Sequence, residues 1–290
     1  MIDITLEFVK GSMPRRDPHG HKGSFGHLLS VCGSARYPGA AILAALGAAH
    51  MGTGLVTAAF ADAAYGAIAP NLIQTPLLPL KSNGAGMLSR EALPQIQSNL
   101  TGKTAVLLGC GLGLCGDTIQ LTHQLLQSIV CPTVLDADGI NAIAAHTYLL
   151  KKVRPAQLAL TPHPGEMARL LGCAPADVNH NRETIAADFA REYGVVLALK
   201  GANTLVAAPD GQIFRNTTGN DGLAKGGSGD LLAGMIASLL AQGLDAFHAA
   251  VIGVFLHGLC ADRTAARLSR RGMTALDCAE ELKRLLSIFE

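Results

Sequence analysis

One glycine-rich segment of the sequence has the composition of a phosphate-binding turn. Residues 219–230 read GNDGLAKGGSGD and lead directly into the apolar stretch LLAGMIASLLAQG. Glycines allow the backbone to direct several N–H groups towards one point, and the start of the following helix adds the positive end of its dipole. We therefore predict an anion-binding turn at Gly227, Ser228 and Gly229, with the carboxylate of Asp230 fixed beside it.

A carboxylate beside a bound phosphate is electrostatically unfavourable unless it has a chemical task. Asp230 could take the proton from a hydroxyl group that attacks the phosphate. The alternative is that Asp230 only stabilises the start of its helix, but the preceding glycines favour the catalytic interpretation. The segment is not a P-loop, because the pattern G-x-x-x-x-G-K-[S/T] occurs nowhere in the chain.

A second glycine-rich turn, GCGLGLCG at residues 109–116, lies between the apolar run AVLL and a helical pattern. Gly111, Gly113 and Gly116 match the G-x-G-x-x-G spacing of dinucleotide-binding turns, although this match is weak in a glycine-rich chain. The spacing leaves open a nicotinamide-containing ligand and, with it, an NAD-dependent dehydrogenase. The alternative is a plain strand-to-helix turn.

Two further segments combine polar side chains with restricted backbone. In TPHPGE, residues 161–166, the two prolines hold Thr161 and His163 in extended conformations, so that His163 could face a ligand. In KGANT, residues 200–204, a lysine and polar side chains suit contacts to the phosphate or ribose of a nucleotide, although the segment could also be a hairpin turn.

Short β-rich runs alternate with helical patterns along the chain, which predicts an α/β fold with a mostly parallel sheet covered by helices on both faces. The predicted strands are His27–Cys32, Leu55–Ala59, Ala105–Leu108, Thr133–Asp136, Leu158–Leu160, Val195–Leu199, Thr204–Ala207 and Gln212–Phe214. The predicted helices are 39–50, 116–130, 139–146, 165–172, 180–193, 229–242, 245–267 and 274–288. The last two strands should form a hairpin at one edge of the sheet. We expect one domain over residues 1–290, with ligands at the carboxyl ends of the strands.

Composition excludes several classes of protein. The chain has 290 residues, of which 49% are hydrophobic and 16% charged, and its net charge is +1. These values argue against disorder, nucleic-acid binding and attachment to an anionic membrane. The apolar stretches 39–61 and 231–261 contain glycine breaks and polar residues, so we do not expect them to span a membrane. The seven cysteines lack zinc-site spacing, and no secretory signal is visible, so we expect reduced thiols in a cytoplasmic protein without a structural metal.

Together, the motifs resemble the ADP/ATP-dependent NAD(P)H-hydrate dehydratases, a family of the ribokinase-like superfamily. In chain order the motifs are HKGSFG, GS-x-x-YPGAA, GLGL, LDADGIN, TPHPGE, LKGANT and GNDGLAKGGSGD, and the resemblance extends over about residues 15 to 285. One departure is Cys110, because relatives often have proline at this position of the GLGL turn. The resemblance implies a ribokinase-like fold. Many bacterial relatives carry an epimerase domain upstream. Because this sequence has no room for one, the resemblance leads us to expect a stand-alone dehydratase.

The family's substrates are the (S)-epimers of NADHX and NADPHX, which are cofactors damaged by hydration of the nicotinamide ring. The resemblance implies substrate contacts at Ala40, Gly111, Gly113, His163 and Asp230. It implies adenine-nucleotide contacts at Lys200, Gly201, Ala202, Asn203, Thr204 and Gly229. Asn141 and Glu166 match further polar positions whose roles are less defined.

These expectations lead to a mechanism in which the ring hydroxyl is first phosphorylated, because hydroxide is a poor leaving group and phosphate a good one. Asp230 would deprotonate the hydroxyl, and the N–H groups of Gly227, Ser228 and Gly229 would stabilise the transferring phosphoryl group. We expect ADP as the favoured donor, with ATP possible, and Mg²⁺ accompanying the nucleotide. The resemblance also implies a homotetramer and a functional link to a separate epimerase.

Three other functions are compatible with parts of this sequence. A ribokinase-like kinase of a small vitamin-precursor alcohol would share the anion-binding turn at Gly227–Gly229, although HPGE and KGANT favour the dehydratase. A dehydrogenase would use Gly111–Gly116 and consume no nucleotide. A non-catalytic nucleotide-binding regulator would not need Asp230, so that replacing this residue would leave ligand binding intact.

Overall fold

In the part of the chain that the structure describes, ten strands form one mostly parallel sheet with the spatial order β1-β10-β9-β8-β7-β6-β5-β2-β3-β4. The computed structural model describes residues 1–153 and 157–289. The strands are β1 (Ile2–Asp3), β2 (His27–Val31), β3 (Leu55–Ala61), β4 (Leu77–Leu80), β5 (Ala105–Leu108), β6 (Thr133–Leu135), β7 (Leu158–Leu160), β8 (Val196–Leu199), β9 (Leu205–Ala207) and β10 (Ile213–Arg215). Among these ten strands of the described residues, only β9 runs antiparallel to its two neighbours, β8 and β10.

Helices cover both faces of the sheet. They are α1 (Leu6–Ser12), α2 (Pro38–His50), α3 (Tyr65–Ile68), α4 (Leu93–Ser98), α5 (Gly116–Ser128), α6 (Asp138–Ile143), α7 (Pro164–Leu171), α8 (Pro175–His180), α9 (Arg182–Tyr193), α10 (Ser228–Ala241), α11 (Ala246–Leu268) and α12 (Ala275–Leu285). Successive strand residues alternate between two apolar cores, as Leu28 and Leu29 do in β2. Helices α1–α3 and α10–α12 pack on one side, and α4–α9 pack on the other.

The α/β fold predicted from the sequence is confirmed, and each of the eight predicted strands is present. The prediction that the β9–β10 hairpin forms the edge of the sheet is wrong, because β1 pairs in parallel with β10. A two-residue strand is too short to show any periodicity. The predicted helix 180–193 corresponds to α9, and a separate short helix that the sequence did not predict, α8, ends just before it at His180. The expected domain over residues 1–290 includes 154–156 and 290, which lie outside the described residues.

The glycine- and alanine-rich stretches form closely packed core helices. A Cβ atom at Gly234 of α10 would lie 2.1 Å from the carbonyl oxygen of Ala44 in α2, and one at Gly47 would lie 2.5 Å from that of Leu231. Only glycine permits this approach between the two helices. Helix α11 is long and apolar enough to cross a membrane, but 72% of its most apolar window is buried within the fold. These stretches therefore serve as the inner helical layer of the protein.

Candidate active site

The loops after β2, β5, β6, β7 and β8 bring most of the predicted site residues to one edge of the sheet. The turn after β5 meets the start of α2, since a Cβ atom at Gly111 would lie 2.6 Å from the Cβ atom of Ala40. The loop after β7 places Glu166 next to Lys200, which follows β8. This is the arrangement expected at the carboxyl ends of parallel strands. Residues that are far apart in the sequence therefore form one continuous site.

The predicted anion-binding turn begins helix α10. Gly227 precedes the helix with φ of 94°, a conformation that favours glycine, and a Cβ atom there would lie 2.4 Å from Leu43. The N–H group of Ser228 donates a long hydrogen bond of 3.4 Å to the carbonyl oxygen of Lys225. The side chain of Lys225 in turn donates to the carbonyl oxygen of Arg271 at 2.6 Å. The segment before α12 thus holds the glycine turn in place.

Asp230 lies in a cluster of buried polar side chains. One ligand atom each of Cys110, Asp136 and Asp230 lies within 4.8 Å of the other two. Burial and the nearby charge of Asp136 raise the pKa of Asp230 to about 6, while Lys200 acts in the opposite direction. A carboxylate whose pKa lies close to neutrality suits a general base. This raised pKa supports the role of proton acceptor that the sequence predicts for Asp230.

Lys200 supplies positive charge at the inner end of the site. Its Nζ atom donates to Asp136 at 2.8 Å and lies 3.8 Å from Oε2 of Glu166. Burial alone would lower the pKa of Lys200, but these two carboxylates raise it above its usual value. A Cβ atom at Gly229 would lie 3.3 Å from Nζ. Lys200 is therefore a protonated amine immediately beside the glycine turn.

A cleft of about 730 Å³ opens from this turn and is large enough for a nucleotide. Its walls include the β8–β9 connection Lys200–Thr204, the segment 216–221, and Ser228 with Gly229. The KGANT segment is thus both a hairpin connection and part of a ligand cleft. All six residues that the resemblance assigns to the nucleotide line this one cleft.

His163 and Glu166 form the start of helix α7. The ring nitrogen Nδ1 of His163 accepts from the backbone N–H of Gly165 at 3.0 Å. A carboxylate oxygen of Glu166 accepts from the backbone N–H of His163 at 2.8 Å. The His163 side chain is 50% exposed, whereas that of Glu166 is 6% exposed. His163 therefore caps the helix and also lines the cleft, while Glu166 is an inner residue of the site.

Asn141 and Gly113 are connected through Asp138. The backbone N–H of Gly113 donates to Oδ2 of Asp138 at 2.8 Å, and the Asn141 amide donates to Oδ1 at 3.5 Å. The other end of the Asn141 amide accepts from Arg169 at 2.8 Å. Asn141 thus belongs to a hydrogen-bonded chain that ends at the Gly111–Gly113 turn.

Two residues that the structure adds to the site were not among the predicted site residues. Asp136 is 1% exposed and accepts from the hydroxyl of Thr161 at 2.6 Å as well as from Lys200. Its position directly after β6, at the carboxyl end of a strand, is the sequence feature that could have indicated a site residue. His257 lines the cleft from α11, and burial with the charge of Lys200 lowers its pKa to about 4, so that its ring is neutral. A single histidine in an apolar helix carries no comparable sequence signal.

Comparisons with known proteins place this site in a family context. A family model described as NAD(P)H-hydrate dehydratase matches residues 28–284. A bifunctional NAD(P)H-hydrate repair enzyme of Moorella thermoacetica is 42% identical over 99% of this chain, which spans 54% of that relative. The chain thus spans about half the length of several curated relatives that it matches.

Two further matches, both from Bacillus subtilis, extend over nearly the whole of each chain. An ADP-dependent (S)-NAD(P)H-hydrate dehydratase is 34% identical over 99% of this chain and 98% of its own length. A crystal structure of an ADP/ATP-dependent NAD(P)H-hydrate dehydratase, co-crystallised with ATP and Mg²⁺, matches with a TM-score of 0.87 and 33% identity, covering 100% of this chain and 99% of that one. Since the sequence, the fold and the family model agree, the chain belongs to the NAD(P)H-hydrate dehydratase family.

Proposed function

We propose that this protein is a lyase that dehydrates the (S)-epimers of NADHX and NADPHX to NADH and NADPH, with ADP or ATP as phosphoryl donor. The observation that carries the proposal is the position of Asp230. Its carboxyl group, with a pKa of about 6, lies in the first turn of α10, directly after Gly229 of the nucleotide-sized cleft and within 4.8 Å of Cys110 in the other glycine-rich turn. A general base between two binding regions is what phosphoryl transfer from one ligand to the other requires.

In the proposed reaction, ionised Asp230 takes the proton of the ring hydroxyl, and the resulting oxygen nucleophile attacks the terminal phosphorus of the nucleotide. The bond from this phosphorus to its bridging oxygen breaks, so ADP leaves as AMP. Protonated Lys200 and the N–H groups of Gly227 and Gly229 stabilise the charge on the transferring group, and the N–H group of Ser228 can join them by giving up its long hydrogen bond to Lys225. The ring nitrogen then expels phosphate, and loss of a proton from the neighbouring ring carbon restores the dihydronicotinamide.

The donor set at the inner end of the site fits a magnesium–nucleotide complex. Asp136, Glu166 and Asp230 provide three carboxyl groups near the single charge of Lys200, and Mg²⁺ prefers such oxygen ligands. We propose that Glu166 and Asp136 help to hold the ion. When bound, Mg²⁺ neutralises charge on the phosphates. The thiol of Cys110 is a soft ligand and is not part of this set.

Absorbance at 340 nm tests the proposal. Purified protein with Mg²⁺ and NADHX should show a rise that depends on ADP or ATP and matches the phosphate released. The Asp230→Asn variant should lose about 10²- to 10⁴-fold in kcat, because general bases contribute about this much. Binding of ADP, measured by calorimetry, should survive in the variant. Full activity of Asp230→Asn would refute the assigned base, and no rise with either nucleotide would favour a small-molecule kinase.

Assembly, location and partners follow as further parts of the same proposal. We expect a homotetramer, and we expect a separate epimerase to convert the (R)-hydrate into the (S)-form used here. The cytoplasm is the expected location. All seven cysteines are free thiols, as is usual in a reducing compartment. Gel filtration with light scattering measures the assembly directly.

A further inference from the structure

The Gly111–Gly113 turn is flexible by composition but is firmly held by its surroundings. Both glycines have positive φ values, 63° and 75°, which most other residues adopt only at a cost. The hydroxyl of Ser34 donates to the carbonyl oxygen of Gly111 at 2.8 Å, and that of Thr118 donates to the carbonyl oxygen of Gly113 at 2.9 Å. The carboxylate of Asp138 accepts from the N–H group of Gly113 at 2.8 Å. Asp138 therefore makes the charged contact among these three.

The backbone that presents Asp138 is strained. Ala137 joins β6 to α6 with φ of 51° and ψ of −117°, a conformation that a residue with a side chain rarely adopts. The β6–α6 connection has little room to adopt another backbone conformation, because it packs closely against the turn after β5. A Cβ atom at Gly109 of that turn would lie 1.9 Å from the carbonyl oxygen of Asp136. Strain of this kind persists where surrounding contacts enforce it, and it is frequent at functional sites.

The second carboxylate oxygen of Asp138, which does not contact Gly113, is also hydrogen-bonded. Asn141 donates to Oδ1 of Asp138, and Arg169 donates to the amide oxygen of Asn141 at 2.8 Å. The amide of Asn141 is therefore engaged at both ends by protein groups. The N–H group of Gly113 likewise donates to Asp138 and is not available to a ligand. The turn therefore contributes to ligand binding through the shape of its backbone and not through this donor.

We propose that Asp138 is a positioning residue for the hydrated nicotinamide substrate, and that Asn141 and Arg169 act through it. The proposal rests on the proposed function, in which the Gly111–Gly113 turn contacts the hydrate. Asp138 fixes the turn in its binding shape, and Asn141 orients Asp138 without touching the substrate. The nucleotide cleft does not include any of these residues among its lining side chains. Loss of Asp138 should therefore weaken binding of the nicotinamide ligand and spare binding of ADP.

The test compares Asp138→Ala with Asp138→Asn, which keeps an oxygen able to accept from Gly113. Asp138→Ala should raise KM for NADPHX by about tenfold or more, as expected for a lost hydrogen bond to a charged group. It should weaken binding of NADPH, followed by its fluorescence, to a similar degree. The affinity for ADP should stay within about twofold of wild type, and Asp138→Asn should recover most of the loss.

Asp177→Ala is a matched control, because Asp177 also accepts a backbone N–H bond, from Ala174 at 3.2 Å, but lies away from the cleft. It should change neither ligand affinity. An unchanged KM and unchanged NADPH binding in Asp138→Ala would overturn the inference. So would a joint loss of NADPH binding, ADP binding and Tm that asparagine does not rescue. Selective loss of NADPH binding in a protein without dehydratase activity would support the inference and refute the proposed function.

Discussion

Replacing the proposed general base should make the protein more stable while it removes activity. Burial and the charge of Asp136 raise the pKa of Asp230 from 3.8 to about 6. Because the folded state binds this proton more tightly, the group's contribution to stability is present below about pH 4 and is lost as the pH rises through 6. The rise from 3.8 to about 6 corresponds to about 3 kcal/mol.

Asp230→Asn removes the charge that folding must bury and keeps a side chain of nearly the same shape. At pH 8 its free energy of unfolding in urea should exceed that of wild type by up to about 3 kcal/mol. The difference should decrease towards zero as the pH approaches 4. Asp210→Asn serves as the control, because hydrogen bonds from Gln212 lower the pKa of this exposed carboxyl group and no gain is expected. A variant that is less stable than wild type at pH 8, or a gain independent of pH, would refute the reasoning.

Two further predictions concern the charges around Asp230, and a third concerns the packing of α10 on α2. In the wild-type protein, kcat/KM should rise with pH until about 6 and then level off, because only ionised Asp230 accepts the proton; a profile that is flat between pH 5 and 7 would contradict this assignment. Lys200→Met leaves Asp136 and Glu166 buried without their counter-charge, so urea titration should show a loss of about 3–5 kcal/mol, and the acidic limb of the rate profile should move to higher pH. Gly234→Ala brings a methyl group to 2.1 Å from the carbonyl oxygen of Ala44 and should destabilise the fold by about 1–3 kcal/mol in thermal denaturation. Gly66→Ala, which meets no atom within 4 Å, should not lower Tm.

Local pattern in the sequence was sufficient for much of the fold and for locating the segments that form the candidate site. Alternation of apolar runs with helical stretches predicted eight of the ten strands, because the periodicity of a strand or helix is a property of neighbouring residues. The glycine turn before α10 could be predicted for the same reason. Strand β1 could not be predicted, because its two residues acquire a strand conformation only by pairing with β10, more than two hundred residues away.

The pKa of Asp230 and the hydrogen bond that holds the Gly111–Gly113 turn could not be predicted from the sequence, because both depend on tertiary structure. The ion pair between Asp136 and Lys200 joins residues 64 positions apart, and it contributes to the balance of charges that sets the pKa of Asp230. The hydrogen bond from Gly113 to Asp138 exists only because β5 and β6 are neighbours in the sheet. A motif can thus indicate that a carboxylate is present, but burial and distance to other charges determine its protonation, and these are set by the packing of the whole chain.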